Sequence, residues 1–228
     1  MTCQSPGTVV GSTPRTRSSP SLPRSKPIGR RGSVSMRSSD ARTSSVLEPD
    51  IHRLIEVFDR HGLEYLVVGG VAARAYGAVR PTGDADCLVR RTVDNFERLA
   101  AAMLELHARL RVEGLSDAEA AALPTRLDAT SLGRMEISTW RTDAGDVDIL
   151  VDIPDRHGRH RRYEELAGRA QRLDYAGISI RVAGIADIVA SKEWADRPKD
   201  HEALPELYQL RERARESQAD QPPPAQGD

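Results

Sequence analysis

Apolar residues recur along the middle of the chain at spacings that alternate between those of a helix and those of a strand. Residues 48–61 carry them at helical intervals and are followed by Gly62, which predicts a first helix. The short apolar run Tyr65–Val68 predicts a buried strand. An Ala-rich segment after Gly69 predicts a second helix, and residues 84–89 predict a second strand. We expect the rest of the chain to fold around this unit of strand, glycine turn, helix and strand.

Helical and strand patterns continue to alternate after this unit. Thr92 is a suitable N-terminal cap for a long helix, whose apolar stripe reaches Leu110 and which we expect to end near Gly114. Residues 135–140 and 147–153 alternate apolar and polar positions on either side of a turn, which predicts a pair of strands. On the second of these strands the acidic positions share one face and the apolar positions share the other. The apolar face is expected to pack, and the acidic face to look into a site.

The C-terminal third is predicted to be mainly helical. A helix at 163–171 and a β-hairpin at 173–180 come first. A helical pattern then covers residues 185–213, in which Pro198 marks a break and Pro205 a kink or a new helix start. These patterns together predict an α/β fold with a mixed β-sheet flanked by helices, followed by a C-terminal helical segment.

The two ends of the chain differ in composition from the middle. Residues 1–46 are rich in Ser, Pro, Arg and Gly and contain no aromatic residue, so we expect them to be disordered. Met36 is an alternative start of the chain. The predicted domain then covers residues 47–183, the helical segment 184–215, and a second disordered tail 216–228.

The net charge of −1 hides an uneven distribution of charge. Residues 1–46 carry eight Lys or Arg and one Asp, a balance of +7, which leaves 25 basic and 33 acidic groups in the remainder, a balance of −8. An acidic body does not bind a polyanion over its whole surface, so a nucleic acid would need a local basic patch. Residues 156–162 are the densest basic run, and we consider both a solvated loop and a phosphate contact for them. A metal site at His157 and His160 is disfavoured because no Cys or further His lies near them.

The cysteine count and the hydropathy indicate the cellular compartment of the protein. Its two cysteines, Cys3 and Cys87, make no disulfide framework and no zinc site, which fits a reducing compartment. No apolar run is long enough for a transmembrane helix, and no hydrophobic signal-peptide core is present. We therefore expect a cytoplasmic protein without a membrane partner.

The first strand, the glycine turn and the second strand bring together groups suited to a metal-bound triphosphate. Gly69 and Gly70 follow a strand and open a helix, where backbone N–H groups without a neighbouring Cβ can approach a phosphate. Asp84 and Asp86 are separated by one residue on a strand and so point to the same face. Two carboxylates on one face can hold one hard cation.

The order and spacing of these pieces resemble those of the nucleotidyltransferase superfamily that includes DNA polymerase beta. The pieces are a Gly-Gly pair, a segment of about a dozen residues, an Asp-x-Asp motif preceded by Arg80 and Thr82, and a later strand DVDIL. Within the superfamily the sequence is most similar to small bacterial AbiEii-like toxins of toxin–antitoxin systems. The resemblance covers residues 47–215. One departure is Gly70, because many relatives have a serine there and this chain offers no hydroxyl.

The resemblance implies an Mg²⁺-dependent enzyme that binds an NTP such as ATP and transfers its nucleoside monophosphate to an acceptor. The catalytic and metal-binding residues implied are Asp84, Asp86 and Asp148. The nucleotide-binding residues implied are Gly69, Gly70, Arg80, Thr82 and Lys192. Asp146 is the rival for the third carboxylate, and we prefer Asp148 because Val147 and Ile149 bracket it as in the family.

The resemblance leaves the acceptor open among tRNA, a protein side chain and a small molecule such as an aminoglycoside. Similarity to AbiEii-like toxins favours a toxin that acts on tRNA and has a cognate antitoxin partner. The alternative function is a catalytically silent nucleotide-binding or interaction module on the same fold.

Overall fold

The computed structural model describes residues 48–123 and 126–219. Residues 1–46, which were predicted to be disordered, and the last nine residues of the chain lie outside this part. Among the described residues, no helix is both long enough and apolar enough to cross a membrane.

The described part is an α/β fold in which helices flank a mixed β-sheet. The helices are α1 (Ile51–Arg60), α2 (Gly69–Ala75), α3 (Val93–Glu105), α4 (Asp117–Ala121), α5 (Ala129–Gly133), α6 (Tyr163–Ala167), α7 (Ile185–Ala195) and α8 (Pro198–Ala219). The strands are β1 (Tyr65–Val68), β2 (Asp84–Val89), β3 (Arg109–Arg111), β4 (Ile137–Thr142), β5 (Gly145–Leu150), β6 (Asp152–Pro154), β7 (His160–Arg162), β8 (Gln171–Tyr175) and β9 (Ile178–Val182). The predicted fold class is confirmed.

Seven strands form the main sheet in the order β3-β4-β5-β2-β1-β9-β8. The pairs β2–β5 and β1–β9 are parallel, and the other neighbours are antiparallel. Strand β1 is buried along its whole length, as its uninterrupted apolar run predicts. The strands that carry the acidic residues, β2 and β5, are therefore adjacent at the centre of the sheet.

Helix α3 is shorter than predicted, and the chain after it forms a strand that the sequence pattern did not reveal. The helix ends at Glu105, and His107 adopts a left-handed conformation with φ of 50°. Leu110, expected on the helix, lies instead in β3 and pairs with Trp140 of β4. The left-handed residue stops the helix because a non-glycine residue in this conformation cannot continue a right-handed helix. The edge strand β3 is the result.

The strand predicted at 147–153 is divided between two sheets. Strand β5 ends at Leu150, and the N–H of Val151 donates to the carbonyl of Glu136. Strand β6 then leaves the main sheet and pairs with β7 in a separate two-stranded sheet. Helix α6 is likewise shorter than the predicted 163–171, because Gln171 already belongs to β8. The predicted hairpin with its turn at Ala176 and Gly177 is confirmed.

The C-terminal segment contains two helices, and only one of its prolines breaks the helical pattern. Asp196 has a left-handed conformation and ends α7, and Pro198 opens α8 in the first turn, where the missing N–H costs no hydrogen bond. Pro205 lies inside α8 and does not begin a new helix. Helix α8 also continues to Ala219, beyond Arg215, where we expected a tail to begin.

Candidate active site

The turn between β1 and α2 needs glycine because other groups of the site approach its backbone closely. Gly69 has φ of 62°, and a Cβ atom there would lie 1.8 Å from Oδ2 of Asp86. A Cβ on Gly70 would lie 2.4 Å from Oγ1 of Thr82. The backbone N–H of Gly70 hydrogen bonds to Asp86. The glycine pair therefore lets the turn lie directly against the residues of the Asp-x-Asp segment, and one N–H that we expected to face a phosphate faces a carboxylate.

Strand register brings three of the aspartates to one region of the sheet. Asp84 and Asp86 share one face of β2 because one residue separates them. In the parallel pair with β5, Asp86 lies opposite Asp148, and Asp84 lies opposite Asp146. Asp84, Asp86 and Asp148 line a cavity of about 450 Å³, whereas Asp146 does not.

Burial and mutual repulsion make the central carboxylates harder to ionise. Burial is the largest cause that raises the pKa of Asp86 to about 6, and the charges of Asp84 and Asp148 add to it. Burial also raises the pKa of Asp148, while a hydrogen bond from the Thr139 side chain opposes this effect. Oδ1 of Asp148 is buried without a hydrogen-bond partner. A cation or a proton donor beside these oxygens would relieve both the repulsion and the missing hydrogen bond.

Asp146 is held away from the cavity by two arginines. Arg111 of β3 forms an ion pair with Oδ2 of Asp146, and Nε of Arg141 lies 3.4 Å from Oδ1. A carboxylate that already has two guanidinium partners is a poor candidate for a metal ligand. Asp148, and not Asp146, therefore shares the cavity with Asp84 and Asp86.

Thr82 and Arg80 enter the site from the loop that precedes β2. The Thr82 hydroxyl lies 3.0 Å from Oδ1 of Asp84 and 3.1 Å from its carbonyl oxygen, so Thr82 orients this carboxylate. Arg80 lines the cavity and forms an ion pair of 2.8 Å with Glu202 of α8. Both predicted residues are at the cavity, and Thr82 reaches an aspartate.

Helix α7, the residues that follow it and the start of α8 supply positive charge to the same cavity. Lys192, Arg197 and Lys199 all line the cavity. Nζ of Lys192 lies 3.1 Å from Oδ1 of Asp200, and Nε of Arg197 lies 2.6 Å from Oδ2. Asp200 has no exposed surface, and its two cationic partners lower its pKa. This aspartate holds both cations at the cavity wall, a role that its position in the sequence did not reveal.

Carboxylate oxygens are the ligands that a hard cation prefers. The three aspartates do not, however, form a complete cation site on their own. Among the residues that the structure describes, no three His, Cys, Asp or Glu side chains have the arrangement of a metal site. Mg²⁺ is commonly held by one or two carboxylates together with waters and substrate phosphates. The unpartnered oxygen of Asp148 and the mutual repulsion of the carboxylates fit an ion that arrives with a triphosphate.

Half of the basic side chains in the run at 156–162 are paired with acidic residues. Arg159 and Arg161 both contact Glu165, at 2.6 and 2.8 Å. His160 lies 2.7 Å from Asp152, which raises the pKa of the histidine. These ion pairs reduce the positive charge that the sequence suggested for this segment.

Comparison with solved structures finds several that are similar to this chain at low sequence identity. The antibiotic-resistance factor ANT(2'')-Ia is similar with 18% identity and a TM-score of 0.45, over 78% of this chain and 94% of that chain. The lincosamide antibiotic adenylyltransferase LnuA, bound to lincomycin, is similar with 11% identity and a TM-score of 0.48, over 71% of this chain and 96% of that chain. A second structure of ANT(2'')-Ia, in complex with adenylyl-2''-tobramycin, has 18% identity and a TM-score of 0.44, over 77% and 99% of the two chains.

Sequence comparison adds no family. No protein-family model matches the sequence, and no curated protein matches it significantly. Structural similarities at these identities do not by themselves establish an activity for this chain.

Proposed function

We propose that this protein is a metal-dependent nucleotidyltransferase that transfers a nucleoside monophosphate from an NTP to a hydroxyl group of an acceptor. The observation that carries the proposal is the placement of Asp84, Asp86 and Asp148 on two paired strands, with Lys192 and Arg197 lining the same cavity. Carboxylates and cations in one cavity are suited to a metal-bound polyphosphate.

In the proposed reaction the acceptor oxygen forms a bond to the α-phosphorus of the NTP, and the bond from that phosphorus to the bridging oxygen breaks. Pyrophosphate leaves, and the hydroxyl proton passes to a base. Asp148 is the candidate for this base because its raised pKa brings it closer to neutral pH. Lys192 and Arg197, held by Asp200, are placed to neutralise the charge of the triphosphate and of the leaving pyrophosphate.

Asp84, Asp86 and Asp148 would hold Mg²⁺, which when bound would stabilise negative charge on the attacking and leaving oxygens. Thr82 keeps Asp84 in position through its hydroxyl. Gly69 and Gly70 allow Asp86 to lie against the turn that would face the nucleotide.

On the basis of the sequence resemblance, we also propose that the protein is an AbiEii-like toxin that acts on tRNA and has a cognate antitoxin. The alternative of a silent nucleotide-binding module on the same fold is disfavoured, because a module without catalysis has no need of three crowded carboxylates, among which burial and neighbouring charge raise the pKa of Asp86 and of Asp148.

A two-stage experiment tests the proposal. Thermal shift of the full chain with each NTP, with and without Mg²⁺, should show stabilisation that depends on the metal. Incubation of the protein with α-labelled NTP and a cell extract should then transfer label to a macromolecule or a small molecule, which also identifies the acceptor class.

The control variant is Asp86→Asn, which keeps the shape of the side chain and removes its charge. We expect it to fold and to lose transfer together with most of the Mg²⁺-dependent stabilisation. Full transfer by Asp86→Asn would refute the metal-dependent mechanism. Stabilisation by NTP without any transfer by the unaltered protein would favour the silent module.

A further inference from the structure

The start of helix α8 brings to the cavity a cation that the proposed mechanism has not used. Lys199 lines the cavity, and so do Ala203 and Glu206 of the same helix. These positions follow one another at intervals of four and three residues, which places them on one face of a helix. Lys199 therefore belongs to the face of α8 that borders the cavity.

Lys199 differs from the two neighbouring cations of the cavity because no acid neutralises it. Lys192 and Arg197 both bind Asp200, at 3.1 and 2.6 Å. Among the residues that the structure describes, no carboxylate lies within ion-pair distance of the Lys199 ammonium. Its charge is therefore available to a ligand in the cavity.

The other acids near Lys199 in the sequence have partners of their own. Asp196 forms an ion pair with a histidine of α8, and Glu202 forms one with an arginine of the loop before β2. Glu206 also lines the cavity, and its Oε1 accepts a hydrogen bond of 2.8 Å from the backbone N–H of Val79. None of these acids therefore takes Lys199 as its partner.

The stability of the helix does not account for a lysine at this position. Lys199 lies in the first turn of α8, directly after Pro198. The N-terminus of a helix carries a partial positive charge, which repels a cation in the first turn. An unpaired lysine there lowers the stability of the helix, so its presence calls for another reason.

Lys199 acts on a different carboxylate from Lys192. Among the cations, Lys192 has the largest effect on Asp86, where its charge opposes the rise in pKa that burial causes. Lys199 has the largest effect of any cation on the pKa of Asp148, the candidate base. The two lysines are therefore distributed between the two strands that carry the carboxylates, and Lys199 lies on the side of the base.

Given the proposed nucleotidyl transfer, on which this inference rests, we infer that Lys199 is a further catalytic residue, which binds the reacting α-phosphate on the side from which the acceptor attacks. In-line attack places the α-phosphorus between the base that receives the acceptor proton and the cations that hold the leaving pyrophosphate. An ammonium on the side of Asp148 therefore meets oxygens of the α-phosphate rather than those of the pyrophosphate.

Lys199 stays protonated throughout the reaction. The acceptor oxygen forms its bond to the α-phosphorus and gives its proton to Asp148, while the bond from that phosphorus to the bridging oxygen breaks. The ammonium donates to the α-phosphate oxygens as they carry the charge of the transition state. Such a contact increases the rate of transfer more than it strengthens the binding of NTP.

The test compares Lys199→Gln, which removes the charge, with Lys199→Arg, which keeps it. At a protein concentration that saturates NTP, Lys199→Gln should slow the single-turnover transfer of α-labelled NTP to acceptors of a cell extract by about a hundredfold. The Kd of the labelled NTP with Mg²⁺, measured by equilibrium dialysis without extract, should change by less than about threefold. Lys199→Arg should recover most of the rate, and the melting temperature of Lys199→Gln should be unchanged or slightly raised.

The matched control is Arg213→Gln, which removes one charge from an exposed position of the same helix that does not line the cavity. It should transfer label at the rate of the unaltered protein. Equal losses in Lys199→Gln and the control would show that net charge alone attracts the substrates, and the assignment of Lys199 would be wrong.

Other outcomes overturn the inference in distinct ways. A rate that Lys199→Gln regains at higher NTP would show that Lys199 only binds the triphosphate. A loss that disappears as the extract is concentrated would show that it binds the acceptor, and a lowered melting temperature without recovery by Lys199→Arg would show a structural role. Transfer that is insensitive to Lys199 would contradict this inference alone, whereas no transfer by the unaltered protein would contradict the proposed function and this inference with it.

Discussion

Nζ of Lys192 lies 3.1 Å from Oδ1 of Asp200, a carboxylate without exposed surface that joins α7 to α8. Arg197 binds the other oxygen of the same carboxylate. One buried acid therefore fixes two of the cations that line the cavity together with the three aspartates. Asp200 acts on the proposed substrate only through these cations, so its role is one of positioning.

Replacement of Asp200 should weaken nucleotide binding as well as the fold. Asp200→Asn leaves Lys192 and Arg197 without their counter-ion, and loss of one partner from a buried ion pair costs about 3 kcal/mol of stability or more. NTP affinity, measured well below the melting temperature of the variant, should fall because both cations are released from the cavity wall. Asp187→Asn is the matched control, since Asp187 of α7 also pairs with an arginine, Arg169, but does not line the cavity. A variant of Asp200 that is less stable but binds NTP normally would show a purely structural role.

Glycine at position 69 should be required for the site beyond the demands of its backbone conformation. Gly69→Ala places a methyl group 1.8 Å from the unshifted Oδ2 of Asp86, whereas a Cβ at Gly177 would meet no atom within 4 Å. Both glycines have positive φ, so both substitutions cost about 1 kcal/mol for the left-handed conformation alone. Gly69→Ala should in addition displace Asp86 and abolish the Mg²⁺-dependent stabilisation by NTP, while Gly177→Ala should keep it. Equal nucleotide binding by the two variants would contradict the proposed close packing.

The pH dependence of stability should reveal the charge on Asp86. Its pKa is about 6 in the folded protein, against an ordinary value of 3.8, so the folded state holds its proton more tightly than the unfolded state. The free energy of unfolding in metal-free buffer should therefore fall as the pH rises from about 4 to about 6, and stay low above that.

Asp86→Asn should remove this dependence. The variant should melt at a higher temperature than the unaltered protein near pH 8, and the difference should disappear near pH 4. Melting curves in the presence of a chelator across this range measure the effect. A variant that is destabilised equally at both ends of the range would show that the carboxylate is not strained by its neighbours.

The two aspartates of β5 should differ in function although they share one face of the strand. Asp148→Asn should stop transfer while it preserves more of the NTP binding than Asp86→Asn does. Asp146→Asn should change NTP binding only slightly, because Arg111 and Arg141 hold this residue outside the cavity. Transfer assays with labelled NTP separate them, and an inactive Asp146→Asn beside an active Asp148→Asn would show that the third carboxylate is misassigned.

A chain that begins at Ser45 should keep the stability and the nucleotide response of the full chain. The start of the described part is already tied to the domain, since Glu48 forms an ion pair with Arg74 and the N–H of Asp50 donates to the carbonyl of Ala144 at 2.9 Å. Asp50 also caps α1 through Arg53. Comparison of melting temperatures with and without NTP measures this, and a loss of several degrees on truncation would show that residues 1–44 pack on the domain.

The sequence pattern was sufficient for the central strands and their carboxylates but not for the surroundings of those carboxylates. Alternation along β2 and β5 is local, so the shared face of Asp84 and Asp86 followed from spacing alone. The choice between Asp146 and Asp148 depends on the arginine partners of Asp146, and one of them lies on β3. That strand was hidden because Leu110 continues the apolar stripe of α3, and only the left-handed turn at His107 separates the two elements.

The partners formed by distant parts of the chain were also beyond the reach of local patterns. The hydrogen bond from Thr139 to Asp148 depends on the register of β4 against β5. The burial of Asp200 depends on how α7 packs against α8, and its sequence neighbours are charged residues typical of an exposed helix. The basic run appeared unpaired because its acidic partners Asp152 and Glu165 belong to different elements.

The parallel pairing of β1 with β9 has a consequence for the synthesis of the protein. Val67 pairs with Val182, and the N–H of Ala183 donates to the carbonyl of Val67, so the turn at Gly69 and the helix that carries Lys192 are joined through the first and the last strands of the sheet. A nascent chain cannot place Lys192 and Arg197 at the cavity until β9, α7 and the start of α8 have left the ribosome. Under the proposed function, an incomplete chain lacks the cations that would bind the nucleotide, so transfer should appear only when nearly the whole domain has been translated.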